Sequence, residues 1–388
     1  MPFRSTRTLI ALMVLAGNSA ILADDAPSFF SKFQFHANVS QGFLFSSDNN
    51  YLTTDSSDGS AKWTEAALSL SRPITDKLRA GVQVHSYSLG QLGRQRVTLD
   101  WAYADYKLSR YFGVRAGKVK TPTGLYNDVQ DIDAVYQWVL LPQGMYPADL
   151  KGFLLSHEGG IVYGEVSPSK KFGSIEYQGF GGLRSQSRVE GFATTMAEQG
   201  VQLGTDSGPM AGADVRWRTG LEGLMLGASY VHTDLSAPDS KAGPYPFPIE
   251  TIYSMKHVYA QYERGKMVLS GEWRTNPLWL TIGPYPQRYT PNRAWYAMAT
   301  YRVASKLSMG SYFEDSLCFL SGGRDRTDPL NYQKDLAVNG RYDFNRYLYL
   351  KLEGHYMQGV LWGFYSLDNP NGYQKDTRLV AARVGFTI

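Results

Sequence analysis

Apolar and polar residues alternate along much of this chain, in segments of about ten residues. In the segment 348–355, Leu348, Leu350 and Leu352 share one face, and Lys351 lies on the other. Residues 380–388 repeat the pattern, with an apolar residue at every second position. Successive side chains of a β-strand point to opposite faces, so a period of two predicts strands with one apolar and one polar face.

The alternation delimits sixteen candidate strands, which predicts an all-β chain. They are residues 32–45, 62–71, 78–88, 97–108, 111–119, 158–166, 171–181, 210–219, 223–233, 253–263, 266–275, 293–303, 306–315, 334–343, 347–357 and 377–388. Short segments with turn-forming residues alternate with longer ones. The longer ones are residues 46–61, 89–96, 120–157, 182–209, 234–252, 276–292, 316–333 and 358–376. An even number of strands with short turns at one rim and long loops at the other predicts a transmembrane antiparallel β-barrel.

A soluble β-sandwich is the alternative, since it also buries one face of each strand. The composition favours the barrel. Aromatic residues make up 14% of the chain, with 27 Tyr and 39 Gly, yet the mean hydropathy is −0.31. Trp and Tyr also recur at candidate strand ends, as in the aromatic girdles of membrane barrels. These residues are Trp63, Trp101, Tyr103, Tyr111, Trp217, Tyr230, Trp273, Trp295, Tyr301, Tyr347 and Tyr356.

The first 23 residues have the pattern of a secretory signal peptide. Arg4 and Arg7 precede a short apolar run at 9–16, and a small residue, Ala23, ends the segment. The apolar run is too short for a membrane anchor, and no later segment has 18 consecutive apolar residues. We therefore expect cleavage after Ala23, export through the periplasm and an outer-membrane barrel domain at residues 24–388.

Charge and chemistry exclude several functions. The net charge of +4 falls to +2 without Arg4 and Arg7, which is too weak to predict nucleic acid as a partner. Cys318 is the single cysteine, and no His-x-x-x-His or Cys-x-x-Cys spacing occurs. The stretch Ser156-His157-Glu158 has the residue types of a catalytic site, but neighbours in a strand point to opposite faces. We therefore predict no enzyme, no cofactor and no metal site.

Two segments resemble a known family. Residues 111–126 (YFGVRAGKVKTPTGLY) are similar to a strand-to-loop junction in porins of the phosphate-selective superfamily. Residues 334–344 (KDLAVNGRYDF), followed by the strand 348–354, resemble a hairpin near the end of these porins. The resemblance implies sixteen strands, often a homotrimer, and a third extracellular loop folded into the pore.

That third loop would be residues 120–157. Its apolar stretch, residues 134–141, would be poorly placed in water, which also favours inward folding. The alternative is a loop that packs outward at a subunit contact. The dense ladder of basic residues expected of phosphate-selective members is not seen, so phosphate selectivity is not carried over.

The polar strand faces and this loop supply the pore-lining and constriction candidates. They are Arg115, Lys118, Lys120, Asp128, Asp131, Asp133, Arg216, Arg218, Arg341, Lys351 and Glu353. Seventeen strand residues in all are predicted to face the lumen. Ten are basic: Arg79, Arg115, Arg216, Arg218, Arg274, Arg302, Arg341, Lys351, Arg378 and Arg383. Seven are acidic: Glu65, Asp100, Asp214, Glu272, Glu314, Asp343 and Glu353. The excess predicts a slight anion preference, unless these charges only pair across strands and hold the wall together.

The sequence thus predicts a porin for passive diffusion of small hydrophilic solutes and ions, in contact with outer-membrane lipids. Two alternatives stay open. One is a substrate-specific channel for an anion or small organic acid. The other is a non-conducting barrel that serves as an adhesin or anchor.

Overall fold

A computed structural model of the chain describes residues 33–186, 188–320, 325 and 327–388. Within them the chain forms a closed antiparallel barrel of sixteen strands, which confirms the predicted fold. The predicted signal peptide, residues 1–23, lies outside the described residues, as does the predicted start of the first strand at residue 32.

The barrel strands are numbered here in chain order. They are β1 (Gln34–Ser46), β2 (Ser60–Pro73), β3 (Leu78–Leu89), β4 (Leu92–Lys107), β5 (Gly113–Lys120), β6 (Ser156–Ser169), β7 (Gly173–Gln186), β8 (Asp206–Thr219), β9 (Leu224–Ala237), β10 (Ile249–Arg264), β11 (Met267–Thr275, continued by Leu278–Ile282), β12 (Tyr285–Arg302), β13 (Leu307–Leu320), β14 (Tyr332–Asp343), β15 (Leu348–Gln358) and β16 (Asp376–Thr387). Each strand pairs with the next, and β16 returns to β1, from Asn38 opposite Thr387 to Ser46 opposite Leu379. This last pairing leaves no free sheet edge.

Two predicted loops are wrong. Residues 89–96 and 276–292 are mostly strand, and only the tight turns at 90–91 and 283–284 and the break at 276–277 remain. Gly90 and Gly283 have φ of 59° and 57°, which suits such turns. These strand ends lie at the loop rim, where residues 278–282 pair with residues 249–253 of β10. An outward face that no longer meets lipid need not be apolar, so the alternation disappears there.

The outer face of the barrel is apolar. Val97, Val338 and Leu352 are 73%, 58% and 53% exposed on it. Predicted girdle residues such as Tyr301 and Trp295 also lie there. Others were wrongly assigned to a girdle. Trp63, Trp101 and Tyr103 face inward. No helix in the described part of the chain is long and apolar enough to cross a bilayer.

The third loop, here called L3 (residues 121–155), folds into the barrel, as predicted. Its apolar stretch packs on two parts of the wall. Val139 and Leu140 join a buried cluster with β1–β4, β15 and β16, and Trp138 and Leu141 join another with β12–β14. L3 ends in a short helix, α1 (Lys151–Leu155), which packs towards β5–β10. L3 therefore contacts most of the circumference of the lumen.

Other loops cover L3 at the loop rim. Helix α2 (Gly191–Glu198) lies in the fourth loop, next to a small three-stranded sheet formed by residues 201–202, 241–242 and 245–246. The eighth loop, residues 359–375, contacts both L3 and α2. Tyr365 donates a hydrogen bond to Asp149 of L3, and the backbone amide of Leu367 donates to Glu198.

Candidate functional site: the constriction at loop L3

The most enclosed contact between L3 and the wall is made by Asp133. Its carboxylate lies 2.9 Å from Lys351 Nζ of β15 and 3.2 Å from Arg383 Nη1 of β16, and accepts a hydrogen bond of 2.7 Å from Tyr349. The side chains of Asp133 and Lys351 are fully buried. Lys351 also donates to the carbonyl oxygens of Asp133 and Trp138, at 2.6 and 2.9 Å. Two buried charges thus fix the middle of the loop to the wall.

A second anchor joins L3 to β3–β5. Lys120 Nζ lies 2.5 Å from Asp100 and 2.7 Å from Asp131, so one ammonium bridges a wall carboxylate and a loop carboxylate. Gln83 donates to both carboxylates. Lys120 alone neutralises only one of the two negative charges. The side-chain amide of Gln83 supplies the further hydrogen-bond donors that a buried pair of carboxylates needs.

Glu353 of β15 holds L3 through its backbone. Its two carboxylate oxygens accept the amide hydrogens of Val139 and Leu140, each at 2.9 Å. Asn339 and His355 donate to the same carboxylate. Polar backbone groups in the apolar stretch of the loop are thereby satisfied inside the barrel.

Two arginines hold the side of L3 that faces the turn rim. Arg341 donates to the carbonyl oxygens of Ala134 and Tyr136, at 2.7 and 3.0 Å. Arg216 donates to the carbonyl oxygen of Gly124 at 3.2 Å and lies 3.6 Å from Asp128. Their side chains are each 17% exposed, so they border a vestibule on the turn side.

Most of the predicted site residues therefore come together, in a role that differs from free pore lining. Eight of the eleven join L3 to the wall: Lys120, Asp128, Asp131, Asp133, Arg216, Arg341, Lys351 and Glu353. They position the loop that narrows the lumen.

The other three lie elsewhere. Arg115 pairs with Asp105 at 2.9 Å and lies over the ring of Tyr103, on the lumen side of β5. Arg218 pairs with Glu176 near the turn rim. Lys118 shares the outer face with Val114, and its ammonium donates to the carbonyl oxygen of Leu99, so it does not line the lumen.

Arg378, from the wider list of lumen candidates, also lies on the outer face. It is paired directly with Tyr356, which is 42% exposed on that face. The alternation of side chains along a strand explains why Lys118 and Arg378 face outward. Lys118 shares a face of β5 with the exposed Val114, and Arg378 shares a face of β16 with the exposed Val380.

Between L3 and the wall formed by β2, β3 and β16 lies a cavity of about 40 Å³, here called the eyelet. This is room for roughly three water molecules. Its lining residues are Trp63, Glu65, Tyr87, Leu89, Gln130, Tyr136, Val139, Leu140, Leu141, Gln143, Tyr146, Ala148, Lys151 and Arg383.

Charge in the eyelet is organised around Glu65 of β2. Its carboxylate forms ion pairs with Lys151 of α1 and Arg383 of β16, and His85 lies 2.8 Å from it. The guanidinium of Arg383 also stacks over Trp63 at 4.6 Å. Alternation predicted Glu65 and Arg383 as lumen residues, but Lys151 was missed. It lies in a loop, and no signal in the sequence links it to Glu65.

Ionisation of the loop groups follows from their surroundings. Burial tends to raise the pKa of Asp133, but Arg383 and Lys351 outweigh it and hold the pKa below the usual value. Burial raises the pKa of Glu190, in the fourth loop, to about 7, although Tyr87 donates a hydrogen bond to it.

A catalytic arrangement is not assembled at the stretch Ser156-His157-Glu158. His157 is buried and lies 3.0 Å from Thr121, whereas Glu158 shares the outer face with Val162. Among the described residues, no three His, Cys, Asp or Glu side chains are grouped as a metal ion would require.

A scan against models of protein families finds no match, and a search of curated proteins finds none. Solved structures do match. OmpT of Vibrio cholerae in its trimer form has a TM-score of 0.58 at 14% identity, covering 92% of this chain and 99% of that one. An anion-selective porin from Comamonas acidovorans has a TM-score of 0.56 at 10% identity, covering 92% and 98%. The outer membrane channel DcaP of Acinetobacter baumannii has a TM-score of 0.55 at 10% identity, covering 92% and 97%.

This chain has the porin fold. A closed barrel with an apolar outer face satisfies all backbone hydrogen bonds within a bilayer, and such barrels belong to outer membranes. The comparisons show the fold, and the resemblance to the phosphate-selective superfamily stays a prediction.

Proposed function

We propose that this chain is a porin through which small hydrophilic solutes and ions diffuse passively across the outer membrane. The observation that carries the proposal is the eyelet, a small cavity with charged and amide side chains inside a closed barrel. Loop L3 bounds it on one side and the barrel wall on the other. Pore width and lining charge are the properties that set the selectivity of a channel.

The lining charges support a slight anion preference. Lys151 and Arg383 face the eyelet with a single carboxylate, Glu65. The vestibule on the turn side adds Arg115, which is 27% exposed beside its partner Asp105. Cations near a narrow passage lower the energy of an anion there and raise that of a cation.

We also propose a homotrimer. Small residues lie directly opposite one another across the outer face of neighbouring strands, in the row Ala104, Ala116, Gly160, Gly181 and Ala211. Such a row makes a flat strip on which a second barrel can pack closely. The similarity to a trimer form of OmpT supports this assembly.

Planar bilayers test the channel. The purified, folded chain is expected to give stepwise ohmic conductance in KCl, with a reversal potential in a KCl gradient displaced towards the chloride equilibrium potential. Replacing Lys151 by Gln should move that potential towards the potassium value. A silent bilayer would favour the non-conducting adhesin or anchor and reject the proposal.

A further inference from the structure

The eyelet is polar on one part of its wall and apolar on the rest. Two cations, Lys151 and Arg383, face the same small cavity as Leu89, Leu140 and Leu141. These five side chains are each at most 8% exposed, so a solute in the eyelet exchanges water for protein contacts. A bare ion makes no favourable contact with the apolar part of the wall, and a hydrocarbon makes none with the charged part.

Lys151 has donor capacity left in this cavity. An ammonium carries three donors. Within the described residues, Glu65 is the side chain that pairs with it, and that carboxylate is shared with Arg383 and His85. The Lys151 ammonium is buried and borders the cavity. An anionic oxygen in the cavity would be a favourable acceptor for its remaining hydrogens.

Arg383 is less available than Lys151 to donate hydrogen bonds to a solute. Its guanidinium already binds Ser40, Glu65 and Asp133 and stacks on Trp63. It therefore contributes positive potential to the eyelet, and Lys151 contributes the contact. A bound anion would share the ammonium with Glu65 and would leave the anchors of L3 in place.

The apolar part of the wall selects what is attached to the anion. A hydrated inorganic ion loses hydrogen bonds against leucine side chains and gains none. A short hydrocarbon chain gains by leaving water, by about fourfold in affinity for each buried methylene, the fold-change that corresponds to about 0.8 kcal/mol. A volume near 40 Å³ admits only a few carbon atoms.

We infer that the eyelet is a binding site for short-chain organic carboxylates, with the carboxylate on Lys151 and the hydrocarbon chain against Leu140 and Leu141. The inference rests on the proposed porin function and adds a substrate class to it. Carboxylates with a few carbons dwell in the eyelet and permeate through it. Formate lacks the apolar part, and a long fatty acid exceeds the cavity.

The test uses the full chain in planar bilayers in KCl, with potassium formate, acetate, propionate or butyrate added, and inorganic phosphate as the inorganic anion. The inference predicts a saturable fall in chloride current whose apparent Kd decreases about fourfold per methylene from formate to propionate, with no further gain for butyrate, whose chain exceeds a cavity of about 40 Å³. Reversal potentials with propionate as the only anion on one side should show that it permeates. Equal or stronger block by formate or phosphate would overturn the inference, while a bilayer silent in KCl would reject the porin itself.

Variants locate the site. Lys151→Gln should weaken the block by every carboxylate, and Leu140→Asn should flatten the dependence on chain length. Lys118→Gln is the matched control, because that lysine lies on the outer face, and it should leave the block unchanged. Wild-type block in Lys151→Gln would place the carboxylate elsewhere and overturn the assignment. The wild-type series stands without any variant, so a folding defect in one of them does not leave the inference untested.

Discussion

The buried contact of Asp133 with the wall gives the sharpest prediction about L3. Replacing Asp133 by Asn removes the carboxylate that faces Lys351 at 2.9 Å and Arg383 at 3.2 Å. Breaking a buried ion pair by removing one partner costs about 3–5 kcal/mol, because the other charge stays buried and uncompensated.

The contacts that remain place this variant at the lower end of that range. Lys351 keeps two carbonyl acceptors, and Arg383 keeps Glu65. A loss of about 3 kcal/mol in the attachment of L3 raises the population of barrels with a detached loop roughly a hundredfold. A detached loop no longer narrows the lumen, so these barrels should conduct more.

Single-channel recording measures this population as the fraction of time spent in states of larger conductance. That fraction should rise steeply in Asp133→Asn. The matched control is Asp343→Asn, which breaks the pair with Arg341 at a side chain that is 41% exposed. An exposed pair contributes about 0–1 kcal/mol, so the control should resemble the wild type. Equal traces for the two variants would refute the anchoring role of Asp133.

Four further predictions follow from the same geometry. Deleting residues 127–143 should raise the conductance and the size cutoff, measured with polymers of graded length, and an unchanged cutoff would contradict the placement of L3. The fourth loop should be docked more firmly at low pH. Because the pKa of Glu190 is raised in the folded protein, its protonated form stabilises the docked loop. This stabilisation is complete below about pH 4.3, the pKa of an unfolded glutamate, and it is lost as the pH rises through about 7. Current fluctuations should therefore grow between these pH values and lose this pH dependence in Glu190→Gln, and equal pH dependence in both proteins would count against it. Val338→Lys should reduce folding stability in lipid vesicles by about 2–4 kcal/mol if that face meets the bilayer core, against about 0–1 for Val303→Lys at the rim, and equal losses would contradict the assignment. Lys118→Glu should leave the reversal potential unchanged, and a clear shift would place that side chain in the permeation path.

Alternation along the sequence was enough to predict the barrel, because every strand that crosses the bilayer must present one apolar face. It failed where strands extend beyond lipid, as at 92–96 and 278–282, since nothing there requires an apolar outward face. It also misplaced Trp63, because aromatic residues occur both in girdles and on lumen walls. The parity set by Leu68 and Leu70, exposed on the same strand, would have placed Trp63 inward.

The site was harder to predict. Asp133 and Lys351 are 218 positions apart, and Lys151 and Glu65 are 86 apart. The barrel brings such residues together through strand order and the path of L3, neither of which leaves a local pattern. Residue type and alternation could therefore nominate Lys351 and Glu353 as lumen residues, but not predict that they hold the loop.

The central claim is that this porin fold conducts solutes past L3. Conductance of the folded chain in a planar bilayer tests it most directly. The account predicts stepwise ohmic currents in KCl that increase in amplitude when residues 127–143 are deleted. Folded protein that inserts and stays silent, with and without those residues, would contradict it.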